Sequence, residues 1–172
     1  MKFNFLLLTL IAFCGQANAT SMYFAKVGKI DGHNVIHVVK DGRIQALSLG
    51  YISTPIKGEF LHNEVNTFLQ DKLFGKWVKV TELSYGKGAL VKPALIRTRE
   101  LELINTSLLT KGYAIPNYKT QPPSAISSHA NIAKKNNLGL WSDIKQYSND
   151  RSKFQNGRIK KIFSDYQQGL DK

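Results

Sequence analysis

Apolar and polar positions change period along this chain, and the changes mark out its elements. An apolar run covers Phe5–Phe13, broken only by Thr9. It follows the positive start Met1-Lys2 and precedes the small residues Ala17-Asn18-Ala19. That layout is a secretory signal peptide, and the run is too short to span a bilayer. Cleavage after Ala19 is expected, which makes 1–19 a signal and the product periplasmic or secreted. Tyr23–Ile30 then mixes apolar and polar residues and ends at the turn pair Asp31-Gly32. Val35–Val39 is β-branched and closes on Asp41-Gly42, a strong hairpin signal. Ile44–Ile52 alternates in part and stops before Pro55. Three strands joined by tight turns form a meander.

The period changes over Glu59–Phe74. Leu61, Val65, Phe68, Leu69 and Leu73 fall on one helical face, Glu59 suits a first turn, and Gly75 ends the helix. Trp77–Leu83 is a fourth strand with Val78 and Val80 on one face. Ser84–Gly88 is a turn, and Ala89–Ile96 a fifth strand in which Pro93 suggests an edge or a bulge. Glu100–Lys111 predicts a second helix, capped by Gly112. A third covers Ser124–Asn136, with Ser124 at its N-cap and Ile126, Ala130 and Ala133 inward. Gly139-Leu140-Trp141 closes the domain, and both Trp77 and Trp141 are expected in the core. The predicted class is α+β, mainly β: a five-stranded OB-fold barrel over 20–147 with about three helices, plus a helical tail. The tail, 148–172, carries an apolar stripe of Ile159, Ile162, Phe163, Tyr166 and Leu170 beside Arg158, Lys160 and Lys161.

Composition narrows the function. Lys and Arg number 24 against 12 Asp and Glu, a net charge of +12; removing the signal takes away Lys2 alone, leaving +11. Such a charge on an exported domain suits polyanionic partners, with solubility alone as the plain alternative. An apolar share of 42% excludes wholesale disorder. The single cysteine, Cys14, lies inside the signal. The exported chain is therefore expected to hold no disulfide, thiol nucleophile or Cys-ligated metal.

Five anchors in order give a family resemblance. They are Ile30-Asp31-Gly32-His33-Asn34-Val35, Ile52-Ser53-Thr54-Pro55, Tyr85-Gly86-Lys87, Leu109-Thr110-Lys111-Gly112-Tyr113-Ala114, and Gly139-Leu140-Trp141-Ser142. From Tyr23 to Ser142 the chain resembles the staphylococcal nuclease (thermonuclease) family. The resemblance implies phosphodiester hydrolysis assisted by Ca²⁺ and two arginines. Carboxylates of a D-G-D turn and a D-T-P strand end hold the metal, and a Glu after the proline positions water.

Position by position this sequence departs from that pattern. The family's metal-binding Asp residues correspond to His33 and Ser53, its Glu to Ile56, and its arginines to Ser48 and Lys87. Asp31 and the Thr54 carbonyl remain as oxygen donors. Glu59 could enter the Glu role only from a reshaped loop, and Arg43 the first Arg role only by a shift that changes strand face. His33 and His37 diverge on a turn and strand. The simpler readings are Glu59 as a first-turn charge, Arg43 and His37 as surface residues, and His62 and His129 on helix surfaces. No cofactor is expected, with Ca²⁺ required only by the nuclease alternative.

The binding equipment is better kept. OB barrels hold single strands by aromatic stacking and basic rims. By resemblance, Tyr85 and Lys87 flank the nucleotide pocket, with Tyr113 or Tyr118 as its far wall. Three functions follow: a catalytically degenerate binding module for single-stranded nucleic acid, another polyanion or an envelope protein; a Ca²⁺-dependent nuclease with a rearranged site; and a structural envelope protein. Missing carboxylates disfavour the second and charge disfavours the third. A protein partner would be sought first at Arg158–Leu170.

Overall fold

The computed structural model describes residues 21–32, 34–86 and 88–142. The expected signal with Cys14, His33, Lys87 and the tail with Arg158–Leu170 lie outside the described residues. The architecture is α+β: a closed five-stranded barrel with three helices, compatible with an OB-fold. Among the described residues no helix is long and apolar enough to cross a membrane.

Strand β1 (Met22–Asp31) pairs antiparallel with β2 (Val35–Lys40), and β2 with β3 (Arg43–Leu49). β5 (Trp77–Glu82) pairs with β6 (Lys92–Arg97) and returns to β1. Closure comes from a parallel contact, Leu47 beside Lys92 and Leu49 beside Ala94. Period-two alternation sends Ile36, Val38, Leu47, Leu49, Val78, Val80 and Ile96 into the barrel. β1 changes parity midway: Ala25 and Val27 are buried, and then Ile30. A bulge between Val27 and Lys29 supplies the extra residue. Two further short strands, β4 (Ile52–Ser53) and β7 (Ile115–Pro116), pair antiparallel outside the barrel.

The same alternation corrects the expectation for Trp77. With Val78 and Val80 inside, Trp77 must face outward, and it is 51% exposed. Trp141 is buried as expected. Pro93 lies at no edge, because the barrel is closed; it sits where the β5 ladder ends, its carbonyl accepting the Leu83 N–H at 2.8 Å.

Helix α1 (His62–Leu73) buries Val65, Leu69 and Leu73. It starts three residues later than the pattern predicts, because Leu61 is left-handed at φ 63° and the Glu59 carboxylate accepts the Ile56 N–H at 2.7 Å. Glu59 is thus a buried turn group ahead of the helix rather than a first-turn charge. Helix α2 (Ile104–Thr110) is also shortened. A tight turn precedes it, with Leu101 at φ 67° and the Thr98 N–H donating to the Glu102 carbonyl. The third helix is broken into α3 (Ser124–Ser127) and α4 (Ala130–Lys135), and Ser124 makes no side-chain cap. Ile126, Ala130 and Ala133 do face inward. Gly112 and Gly139 meet backbone to backbone, both at positive φ, with the Leu140 N–H donating to the Gly112 carbonyl at 2.7 Å. A Cβ on either would strike the other segment, so these glycines dock the closing Gly139-Leu140-Trp141 turn.

Candidate functional site

The acidic turn begins at Asp31, the last residue of β1. Lys29 and His37 are cross-strand partners two positions earlier, so both reach back to it. Lys29 Nζ lies 2.8 Å from Oδ1 and His37 Nε2 lies 2.6 Å from Oδ2. An ionised carboxylate only accepts, so Nε2 carries the proton. The Lys29 ammonium first, and then His37, hold the Asp31 carboxyl below its usual range. His37 is therefore a half-buried partner of Asp31, not a plain surface residue.

The neighbouring positions are taken up by structure. Ser48 pairs with Val35 and Pro93, Ser53 with Ile115, and Ile56 offers its N–H to Glu59. Thr54 is buried. Asn34, at φ 65°, donates from Nδ2 to the Leu49 carbonyl at 2.9 Å and toward that of Ile52 at 3.4 Å. Arg43 is exposed at the start of β3 and pairs with Lys40, as the hairpin reading expects. Among the described residues no three His, Cys, Asp or Glu side chains gather at one point.

A narrow cleft beside this turn is lined by Asp31, Asn34, Thr54, His62 and Asn66, among others. It has room for about one water molecule. The amide oxygens Asn34 Oδ1 and Asn66 Oδ1 are buried there without a hydrogen-bond partner. His62 packs over Gly32, where a Cβ would collide with its ring, and its Nδ1 is 3.4 Å from the Pro55 carbonyl. It is a wall of this cleft rather than a helix-surface residue. His129 is half-buried, with Nδ1 3.3 Å from the Thr110 hydroxyl.

The aromatic end is built around Tyr51, which the sequence reading missed. Tyr51 is left-handed at φ 65°, a conformation that costs a bulky residue about 1 kcal/mol or more. That geometry aims its N–H at the Tyr85 hydroxyl, 3.1 Å away, and its carbonyl at the Asn117 N–H, 2.8 Å away. The two rings meet at 5.2 Å between centroids, tilted by 48°. Buried Asn105 pins the segment from beneath: its Nδ2 donates to the carbonyls of Gly50 and Ala94, and its Oδ1 accepts the Ile96 N–H at 3.0 Å.

Tyr85 sits in a 3₁₀ turn over Ser84–Gly86 and remains 44% exposed. Tyr118 opens another, over Tyr118–Thr120, directly after Asn117. Burial pushes both phenols up; for Tyr85 the Tyr51 and Thr120 hydrogen bonds oppose it. Tyr51 thus ties the strand end that bears Tyr85 to the segment that bears Tyr118. Tyr113 instead meets the edge of Phe68 on α1 at 5.9 Å, beside Lys111, whose Nζ is 5.6 Å from the Phe68 centroid. The sequence signal for Tyr51 is the Gly50-Tyr51 pair, which breaks the alternation of Ile44–Ile52.

No family model and no curated protein matches this chain. Chemically, the acidic turn offers one exposed-edge carboxylate already held by a lysine and a histidine. The aromatic end offers a braced, half-exposed ring.

Proposed function

We propose that the protein is a non-catalytic binding module on a staphylococcal-nuclease-like barrel, taking single-stranded nucleic acid at its aromatic end. The observation that carries this reading is Tyr85, half-exposed and backed by the strained Tyr51. A strained residue held by hydrogen bonds at both its N–H and its carbonyl marks a position kept for a purpose. A base stacked on the open Tyr85 ring would gain roughly 1–3 kcal/mol, and the net positive charge would draw the phosphates. Lys87, next on the chain but one, supplies a nearby cation.

Hydrolysis is not part of the proposal. In the nuclease pattern the metal needs carboxylates at His33 and Ser53 and the developing charge needs guanidinium at Ser48 and Lys87. The remaining donors, Asp31 and Glu59, are engaged by Lys29 and His37 and by the Ile56 N–H. Ca²⁺ asks for six to eight oxygens, several of them charged.

The test is a single incubation of the purified protein with a labelled single-stranded DNA, with and without Ca²⁺, read for retardation and cleavage together. Retardation that weakens steeply with salt, and no cleavage in either arm, is the expected result. Chelator-sensitive digestion would instead establish the rearranged nuclease. Loss of neither migration nor integrity would move the search to an envelope protein partner.

A further inference from the structure

The outward face of β1, β5 and β6 is not used by either end of the candidate site. The strand registers define it row by row. Met22 stands opposite Thr81, which stands opposite Leu95; Phe24 is opposite Lys79, and Lys79 opposite Arg97; Lys26 is opposite Trp77. Phe24 is 66% exposed and Met22 57%, alongside the outward Trp77. Phe24 and Trp77 lie on the diagonal of adjacent strands, within reach of one another.

The face therefore alternates apolar and cationic side chains. Lys26, Lys79 and Arg97 stand in these rows, and no Asp or Glu does. Among the described residues none of the three forms an ion pair; Arg97 donates only to the Leu101 carbonyl. An exposed apolar patch of this kind marks an interaction surface.

We infer that this face docks on an anionic membrane surface. Its charge is complementary to acidic headgroups, each contact with a basic residue adding to the attraction. Its apolar members are mixed: an indole and a phenyl suit the headgroup boundary, and Met22 and Leu95 suit the acyl region beneath. The aliphatic side chains separate this face from a nucleic-acid platform, since bases stack on rings and gain nothing from methionine or leucine. A second copy of the chain is disfavoured by the same cations, which a two-fold contact would bring against each other.

Trp77 provides the test, because the chain has two tryptophans and Trp141 is buried. The full chain, and the chain from Thr20 onward as a control for the leading apolar run, are titrated with vesicles of phosphatidylglycerol and phosphatidylcholine. Tryptophan emission and vesicle co-flotation are read together. The expected result in both forms is a blue shift and flotation with acidic vesicles only. Lys26→Glu with Lys79→Glu removes two cations and adds two anions, and should weaken binding by roughly thirtyfold or more. Phe24→Ser with Trp77→Ser should abolish flotation, and near-unchanged far-ultraviolet dichroism would show that the barrel persists.

Should the Ser pair lose the fold, the Glu pair still decides, since it alters only solvent-facing charge. Absence of flotation in wild type, or flotation unaffected by the Glu pair, overturns the inference. So does an emission shift produced by oligo(dT) and not by acidic vesicles, or a concentration-dependent dimer that the Glu pair dissociates or strengthens.

Discussion

The acidic turn at Asp31 and the aromatic turn at Tyr51 sit at neighbouring strand ends, yet they spend their functional groups in opposite ways. At the acidic turn both carboxylates are engaged from within, Asp31 by Lys29 and His37 and Glu59 by the Ile56 N–H. At the aromatic turn the backbone is held in a strained conformation and a ring is left in solvent. A carboxylate that serves a metal must be available when the metal arrives. A ring that serves a ligand must be stiff and open. The first condition is poorly met at one turn and the second is well met at the other, and that contrast is what makes binding the preferred reading over catalysis.

The largest expected effect breaks the support of the aromatic turn. Asn105→Ala removes partners from the buried Gly50 carbonyl and Ile96 N–H and one of the partners of the Ala94 carbonyl. Leaving such groups unpaired costs about 1–3 kcal/mol each, so the loss should be about 3 kcal/mol or more by urea unfolding. Hydrogen exchange should show the loosening first around Tyr51, with the β1–β2 turn protected until global unfolding. A loss below about 1 kcal/mol would mean that Tyr51 holds its conformation without Asn105.

Much of this fold was legible in the sequence, and the failures have physical causes. Period-two alternation and the Asp-Gly turn placed β1, β2 and the start of β3 within a residue, but β3 ends at Leu49, three residues short of Ile52. The helix starts were misplaced where a left-handed residue, Leu61 or Leu101, intervenes, since neither leucine signals positive φ. Trp77 was misread from its size, although the buried valines at 78 and 80 already fixed its parity. The site was less legible than the fold. The departures of Ser48, Ser53 and Ile56 from the nuclease pattern could be read directly, but the Asp31–His37 contact depends on register across the hairpin. Tyr51 was signalled only by the break in alternation at Gly50-Tyr51, because its role comes from backbone geometry and not from its type.

Two substitutions at Tyr85 sharpen the contrast at intermediate size. Tyr85→Ala should weaken single-strand binding roughly five- to hundredfold at fixed salt, measured by fluorescence anisotropy. Tyr85→Phe keeps the ring and loses the hydroxyl, with its Tyr51 N–H and Thr120 hydrogen bonds. It should hold affinity within about twofold while lowering stability by about 1 kcal/mol. If the two variants bind alike, stacking is not the source of affinity and the aromatic turn is structural. Lys87→Ala should weaken binding most at low salt and reduce the slope of log affinity against log salt by about one unit.

The smallest expected effect lies at the acidic turn and is read through pH. The Asp31 carboxyl is held below its usual range by Lys29 and then His37, so the unfolded chain takes up its proton more readily than the folded one. Its contribution is therefore complete above the ordinary carboxylate range and is lost as pH falls through the lower, folded value. About a third of the side chain is exposed, and water screens the pair, so the whole contribution should be under about 1 kcal/mol. Glu82 and Glu102 also titrate low. Burial raises the Glu82 carboxyl, but hydrogen bonds from Gln45, Tyr23 and Lys92 outweigh it, while Lys72 holds Glu102 down. The informative quantity is accordingly the difference between wild type and Asp31→Asn. That difference should be constant near neutral pH and shrink toward zero in acid, measured as urea midpoints at successive pH values. A difference independent of pH would mean that the Lys29 and His37 contacts do not favour the ionised carboxylate over the neutral acid. Its charge would then be free to serve another cation, and the contrast between the two turns would be much weaker.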